Sequence, residues 1–181
     1  LINSDAPAPE KVSYIIKSGD SLARIANKFN TTIEALQRGN DLPESSARIY
    51  PGDVLRVYQG TWNIEVNKAN FALMLRDGER LFKLYTVGIG RQNRTPVGTF
   101  VVDTKQKEPA WTPPGRHIPY GHPDNVLGTR WLGLKPTGET DRHLLGYGIH
   151  GTWVPETVGT AASEGCIRMR NEDVNELFVL V

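Results

Sequence analysis

Apolar residues change their spacing twice along this chain. Val12–Lys17 is a dense β-rich run closed by the turn formers Ser18-Gly19-Asp20. Leu22, Ile25, Ala26 and Phe29 then recur at i, i+3, i+4 and i+7, one face of a helix that Asp20 or Ser21 can cap and Asn30 can stop. Thr31 with Glu34 three residues on reads as a capping box for a second helix. Ile33 and Leu36 give that helix its apolar face and Gly39-Asn40 its end. Pro51-Gly52-Asp53 is a turn before a second strand, Val54–Val57. The predicted order is strand, helix, helix, strand.

Beyond a short hinge at 58–61 the period becomes two. Trp62, Ile64 and Val66 alternate with polar residues, as do Phe71, Leu73 and Leu75. Asp77-Gly78 between two such runs predicts a hairpin, and Gly98–Asp103 a further strand. Lys105–Val126 is long, proline-rich and aperiodic, which marks a lid or an unstructured segment. Trp131–Leu134 and Tyr147–His150 read as short buried strands. Val174, Leu177, Phe178 and Val181 return to helical spacing, with Asn171 as a candidate cap and Glu172-Asp173 at the positive end of the dipole. The chain stops inside this helix, so a further strand is expected beyond it. The fold class expected is α+β: a small strand-helix-helix-strand domain over 12–58, then a mainly β, sandwich-like domain over 62–181.

Composition narrows the function. Glycine (18) and proline (12) are abundant, in keeping with many turns. Lys plus Arg (21) and Asp plus Glu (20) nearly cancel and do not segregate, so the basic stripe of a nucleic-acid binder and the polybasic patch of a membrane binder are both missing. No apolar run reaches the ~20 residues that cross a bilayer. Leu1–Glu10 begins without Met, as a processed or truncated start would.

The first segment resembles a LysM domain. The resemblance is carried by Tyr14, Lys17, Gly19-Asp20-Ser21-Leu22, Ile25-Ala26, Leu36, Asn40, Ile49, Pro51-Gly52 and Leu55. It implies binding of N-acetylglucosamine-containing glycans, chiefly peptidoglycan, with Gly19, Asp20, Ser21, Asn40 and Tyr50 as the contact residues. A plain spacer is the alternative.

The chain has one cysteine, Cys166, so no internal disulfide forms. A lone cysteine is either a small buried hydrophobe or a nucleophile. Its surroundings favour the second. His150 precedes it by a segment rich in Gly, Pro and Thr, long enough to turn and bring imidazole and thiol together. Gly165 lets a substrate approach the backbone, and the amides of 164–166 can form a nest for a developing oxyanion. The spacing of Cys166, His117 and His122 is not that of a zinc site, so neither metal nor cofactor is expected.

The motif His150-Gly151-Thr152 … Ser163-Glu164-Gly165-Cys166-Ile167-Arg168 resembles the active-site signature of L,D-transpeptidases. Thr95-Pro96-Val97-Gly98-Thr99-Phe100, Pro109–Pro114, 124–132 and 147–152 resemble other segments of that family. The resemblance implies that Cys166 attacks the third stem residue of a peptidoglycan tetrapeptide while His150, oriented by the Gly151 carbonyl, handles the proton. Arg168 would hold a carboxylate and Ser163 would order the loop. Tyr147 and Trp131 would be substrate contacts, or else core. Many members have His where this chain has Glu164. Location outside the cytoplasm follows from such a substrate. The alternatives are a hydrolase, a lipoprotein-attaching variant, or a non-catalytic wall-binding protein.

Overall fold

A computed structural model describes residues 11–45 and 48–181; the Leu1–Glu10 start lies outside them. Two compact units emerge. One runs to Asn63 and takes in Arg76–Arg80, and the other comprises Ile64–Leu75 and Leu81–Val179.

The first unit is β1 (Lys11–Ile15), α1 (Leu22–Lys28), α2 (Ile33–Gly39) and β2 (Val54–Tyr58), with β1 and β2 antiparallel and Tyr14 opposite Leu55. Alternation sends Tyr14 and Ile16 inward to meet Leu22, Ile25, Ala26, Leu36, Leu55 and Val57. Burying each large aliphatic side chain there contributes roughly 1.5–3 kcal/mol. Ser21 caps α1, its hydroxyl accepting from the Arg24 amide. The cap of α2 is Thr32, not Thr31: its hydroxyl accepts from the Ala35 amide at 3.0 Å. Ile33 faces outward, 41% exposed, and the buried face is Ala35 and Leu36 with Gln37 and Gly39.

Next along the chain is a meander of β3 (Trp62–Asn67), β4 (Ala72–Asp77) and β5 (Arg80–Thr86). Leu73 and Leu75 are fully buried, as the alternation requires. The hairpin loop is Gly78-Glu79 rather than Asp77-Gly78, and the Asp77 carboxylate accepts from the Thr61 amide. The main sheet has the order β11 (Ile167–Arg168), β9 (Gly148–His150), β8 (Arg130–Thr137), β7 (Thr99–Lys107). β11 runs parallel to β9, and the other pairs are antiparallel. On its free side β11 is bridged by Gly88, which exchanges two backbone hydrogen bonds with Arg168. β6 (Ile89–Gly90) pairs in parallel with β10 (Ala161–Ser163). The pairs of β6, β10 and β11 are too short for a period of two to be visible in the sequence.

The predicted strand at 98–103 extends to Lys107, which shortens the irregular stretch. What remains is ordered around Asn125. Its buried carboxamide donates to the carbonyls of Pro109, Ile118 and Pro119 and accepts from the Leu127 amide. The pairing of Trp111 with Ile118, and a bond from the Glu108 amide to the Thr129 carbonyl, close the loop at its base.

The last helix, α3 (Asn171–Leu180), buries Val174, Leu177 and Phe178. Asn171 is not its cap: Arg170 holds that position, and Asn171 turns back to accept from the Thr129 amide. Glu176 fastens the helix, pairing with Lys83 and accepting from the Tyr85 hydroxyl at 3.4 Å.

Candidate active site

The ladder places the chemical groups. Ile167 is opposite Ile149 and Arg168 opposite His150. Side chains alternate across a strand, and partners in register share a face. Ile149 and Ile167 point into the core. Arg168, His150 and Cys166, one residue before β11, therefore share the other face, and Cys166 stands next to Gly148. Sequence separation hid this adjacency, because it arises from two strands pairing in parallel.

Trp131 occupies the same face, opposite His150 in β8. Its ring stacks on the imidazole at 5.8 Å between centroids and 25° between planes. It also lies over Gly148 and Gly133. A Cβ on Gly148 would come within 2.5 Å of the indole, and one on Gly133 within 2.9 Å. Two glycines thus form the floor on which the indole rests, beside Cys166. Tyr147 is likewise at the site: a Cβ on Gly165 would approach its ring to 2.7 Å. Neither aromatic is fully buried.

His150 is 3% exposed, and its Nδ1 donates to the Gly151 carbonyl at 2.6 Å, as the resemblance implied. That bond fixes the tautomer with Nε2 free of a proton. Burial depresses the imidazole pKa to about 4, the nearby Arg168 charge adds to this, and the carbonyls of Gly151 and Leu127 oppose it. The Cys166 thiol lies 3.8 Å from the Gly146 carbonyl. Burial raises its pKa, against the Gly148 amide and the Arg168 guanidinium, which favour the thiolate. Both desolvation effects point the same way. Together they favour a neutral thiol and a neutral imidazole at neutral pH.

Ser163 holds the loop that carries Cys166. Its hydroxyl donates to the Cys166 carbonyl at 2.6 Å and accepts from the Gly165 amide at 3.1 Å. The Gly165 N–H is thereby occupied, which takes one of the three amides expected for the oxyanion nest. Thr95, for which the Thr95–Phe100 motif carries no individual signal, donates to the Gly165 carbonyl at 2.8 Å and accepts from the Gly90 amide at 2.7 Å. Arg168 is half-buried, and its Nε, itself buried, has no hydrogen-bond partner among the described residues. The guanidinium fork has a geometry that matches a carboxylate. His117 and His122 are exposed on the loop around Asn125, and His122 Nδ1 accepts from the Asp124 amide.

In the first unit, polar residues of the expected glycan set hold the fold. Asp20 accepts from the Tyr14 hydroxyl and the Lys17 amide, both at 2.8 Å. The Asn40 carboxamide donates to the carbonyls of Leu36 and Arg56 and accepts from the Arg56 amide. Gly19 takes φ 85 and Ser21 is a helix cap. Tyr50 is 61% exposed. A cavity of about 370 Å³ opens beside Asn40, with Leu42, Arg48, Ile49 and Arg56 among its walls; Gly19, Asp20, Ser21 and Tyr50 do not line it.

Comparison with known proteins decides the family. The model of the L,D-transpeptidase catalytic domain matches residues 62–181, two-thirds of the chain. The chain belongs to the L,D-transpeptidase family. A LysM domain precedes the catalytic domain, matching residues 14–57. The chain is 34% identical to the putative L,D-transpeptidase YkuD of Bacillus licheniformis, over 93% of this chain and 92% of that protein. It is 32% identical to YkuD of Bacillus subtilis, over 94% and 93%. Among solved structures, the Ldtfm–avibactam carbamoyl enzyme superposes with a TM-score of 0.50 at 23% identity, covering 72% of this chain and 51% of that one. That likeness bears on the fold alone. Among the described residues no cluster of three or more His, Cys, Asp or Glu could hold a metal, and no helix is long and apolar enough to cross a membrane.

Proposed function

We propose that this transpeptidase acts through Cys166 on peptidoglycan stem peptides, outside the cytoplasm. The observation that carries the reading is the shared face of β9 and β11, with imidazole and guanidinium in register, Cys166 two residues before the guanidinium, and the imidazole locked by Gly151. The Cys166 sulfur attacks the carbonyl of the third stem residue of a tetrapeptide donor while His150 Nε2 takes the thiol proton. The amide C–N bond breaks, the proton passes to the leaving amine of the terminal D-alanine, and a thioester remains. A side-chain amine of a second stem then displaces the sulfur, which recovers its proton through His150, and a cross-link joins the two third residues. Arg168 holds a substrate carboxylate, and Trp131 and Tyr147 wall the groove. The amides of Glu164 and Cys166 supply the oxyanion donors.

The LysM domain tethers the enzyme to its polymer through N-acetylglucosamine units and raises the local substrate concentration. The cavity beside Asn40 and the exposed Tyr50 ring are its candidate contacts, and the framework residues Gly19, Asp20 and Ser21 shape the loop.

The test is incubation with disaccharide-tetrapeptide, with products identified by mass spectrometry. A cross-linked dimer and free D-alanine are expected, and both vanish in Cys166→Ala. Release of D-alanine without dimer identifies a hydrolase instead. A carbapenem should leave a covalent mass adduct on the wild type and none on Cys166→Ala. An adduct on both removes Cys166 as the nucleophile.

A further inference from the structure

Glu164, directly before Gly165-Cys166, shares its carboxylate between two guanidiniums, those of Arg91 and Arg94. All three side chains are about half exposed, and an isolated pair at such a surface contributes little. This cluster differs because its arginines flank a segment already pressed against the nucleophile loop. A Cβ on Gly90 would lie 2.8 Å from the Gly165 Cα, and a Cβ on Gly165 would lie 3.1 Å from the Arg94 carbonyl oxygen. Thr95, next in sequence, holds the Gly165 carbonyl through its hydroxyl.

The segment is also strained. Gln92 (φ 50) and Asn93 (φ 60) are consecutive left-handed residues, and neither is glycine. Such conformations persist only where the surroundings enforce them. The residues on either side of this pair are the two that Glu164 grips. A closed ring results: Gly90 to Thr95, across to the Gly165 backbone, and back through the Glu164 carboxylate.

We propose that Glu164 is a positioning residue. By clasping Arg91 and Arg94 it fixes the strained turn against Gly165, and so sets the backbone from which Cys166 attacks. This rests on the reading of Cys166 as the nucleophile. The rival is electrostatic: Glu164 merely screens two arginines that would otherwise draw anionic substrates. The two readings predict opposite signs.

The experiment follows ertapenem acylation of Cys166 by mass in the full chain for the wild type, Glu164→Gln, Glu164→Ala and the charge-swapped triple variant Glu164→Arg/Arg91→Glu/Arg94→Glu. Alkylation by neutral iodoacetamide is measured alongside. Positioning predicts acylation about tenfold slower in both single variants and recovery to within threefold in the swapped variant. Iodoacetamide, which needs no oriented carbonyl, should react within twofold of the wild type in all. Raising NaCl to 1 M should slow the wild type toward Glu164→Gln and leave that variant unchanged, because salt screens exposed charges. Faster acylation in the single variants, or rates within twofold of the wild type at both salt levels, overturns the proposal. A parallel loss of iodoacetamide reactivity and thermal midpoint does so too, since it marks a merely structural residue. If the singles do not fold, the salt titration of the wild type decides. Absence of any adduct on wild-type Cys166 would instead strike at the nucleophile assignment itself.

Discussion

The buried imidazole makes stability depend on pH in a defined direction. Folding lowers the His150 pKa from 6.5 to about 4, so between these values the unfolded chain binds a proton that the native chain does not. Stability must then rise with pH across that window and fall as pH drops from 6.5 toward 4. At pH 4 the loss is the full 2.5-unit shift less the half-protonation of the native site, about 3 kcal/mol at roughly 1.4 kcal/mol per unit. Carboxylates titrate over the same range, so the quantity to measure is a difference. His150→Gln keeps an amide donor for the Gly151 carbonyl and removes the titration. Urea unfolding of the wild type and His150→Gln at half-unit steps from pH 4 to 7.5 should give stability curves that converge by about 3 kcal/mol toward the acid end. A constant separation would mean that folding leaves the imidazole pKa unshifted, and a separation that shrinks as pH rises above 6.5 would mean that the imidazole is charged in the native state. The site would then hold a thiolate–imidazolium pair, contrary to the neutral resting state derived from burial.

Gly148→Ala should cut kcat/KM at least tenfold and destabilise the chain by about 1–3 kcal/mol, because the methyl group meets the Trp131 indole at 2.5 Å; unchanged steady-state kinetics would show that the indole position is not limiting. Asn125→Asp should destabilise the loop more than Asn125→Ala, since it turns an acceptor toward three carbonyls; limited proteolysis over residues 109–128 reports this, and equal cleavage of the two variants would refute it. Asn40→Ala removes three backbone bonds from the LysM domain and should cost about 2–3 kcal/mol in urea unfolding, with Asn40→Asp costing at least as much because a carboxylate oxygen then faces the Leu36 and Arg56 carbonyls.

The LysM domain was legible because local signals and tertiary packing agree there: helical spacing of Leu22, Ile25 and Ala26, a capping serine, and a Pro-Gly turn. The cap of the second helix was misplaced by one residue, since Thr31 and Thr32 offer the same hydroxyl and only the Ala35 amide chooses between them. Cys166 and His150 stood out in the sequence through their flanking motif. Their adjacency did not, because a parallel ladder leaves no periodicity in strands of two or three residues. Trp131 was hard to separate from core for a related reason. Its role rests on Gly133 and Gly148, which come together from neighbouring strands. The charge state of the site lay furthest from the sequence, since burial decides it and a motif carries no record of burial.

That charge state bears on durability. Peroxide and disulfide exchange both select thiolates, and a desolvated thiol beside an uncharged imidazole offers little of that form at rest. A lone cysteine without a resolving partner would be overoxidised irreversibly if it stayed ionised between turnovers. On the proposed mechanism nucleophilicity arises only as an acyl donor enters and the proton departs, which would preserve the single sulfur over many catalytic cycles.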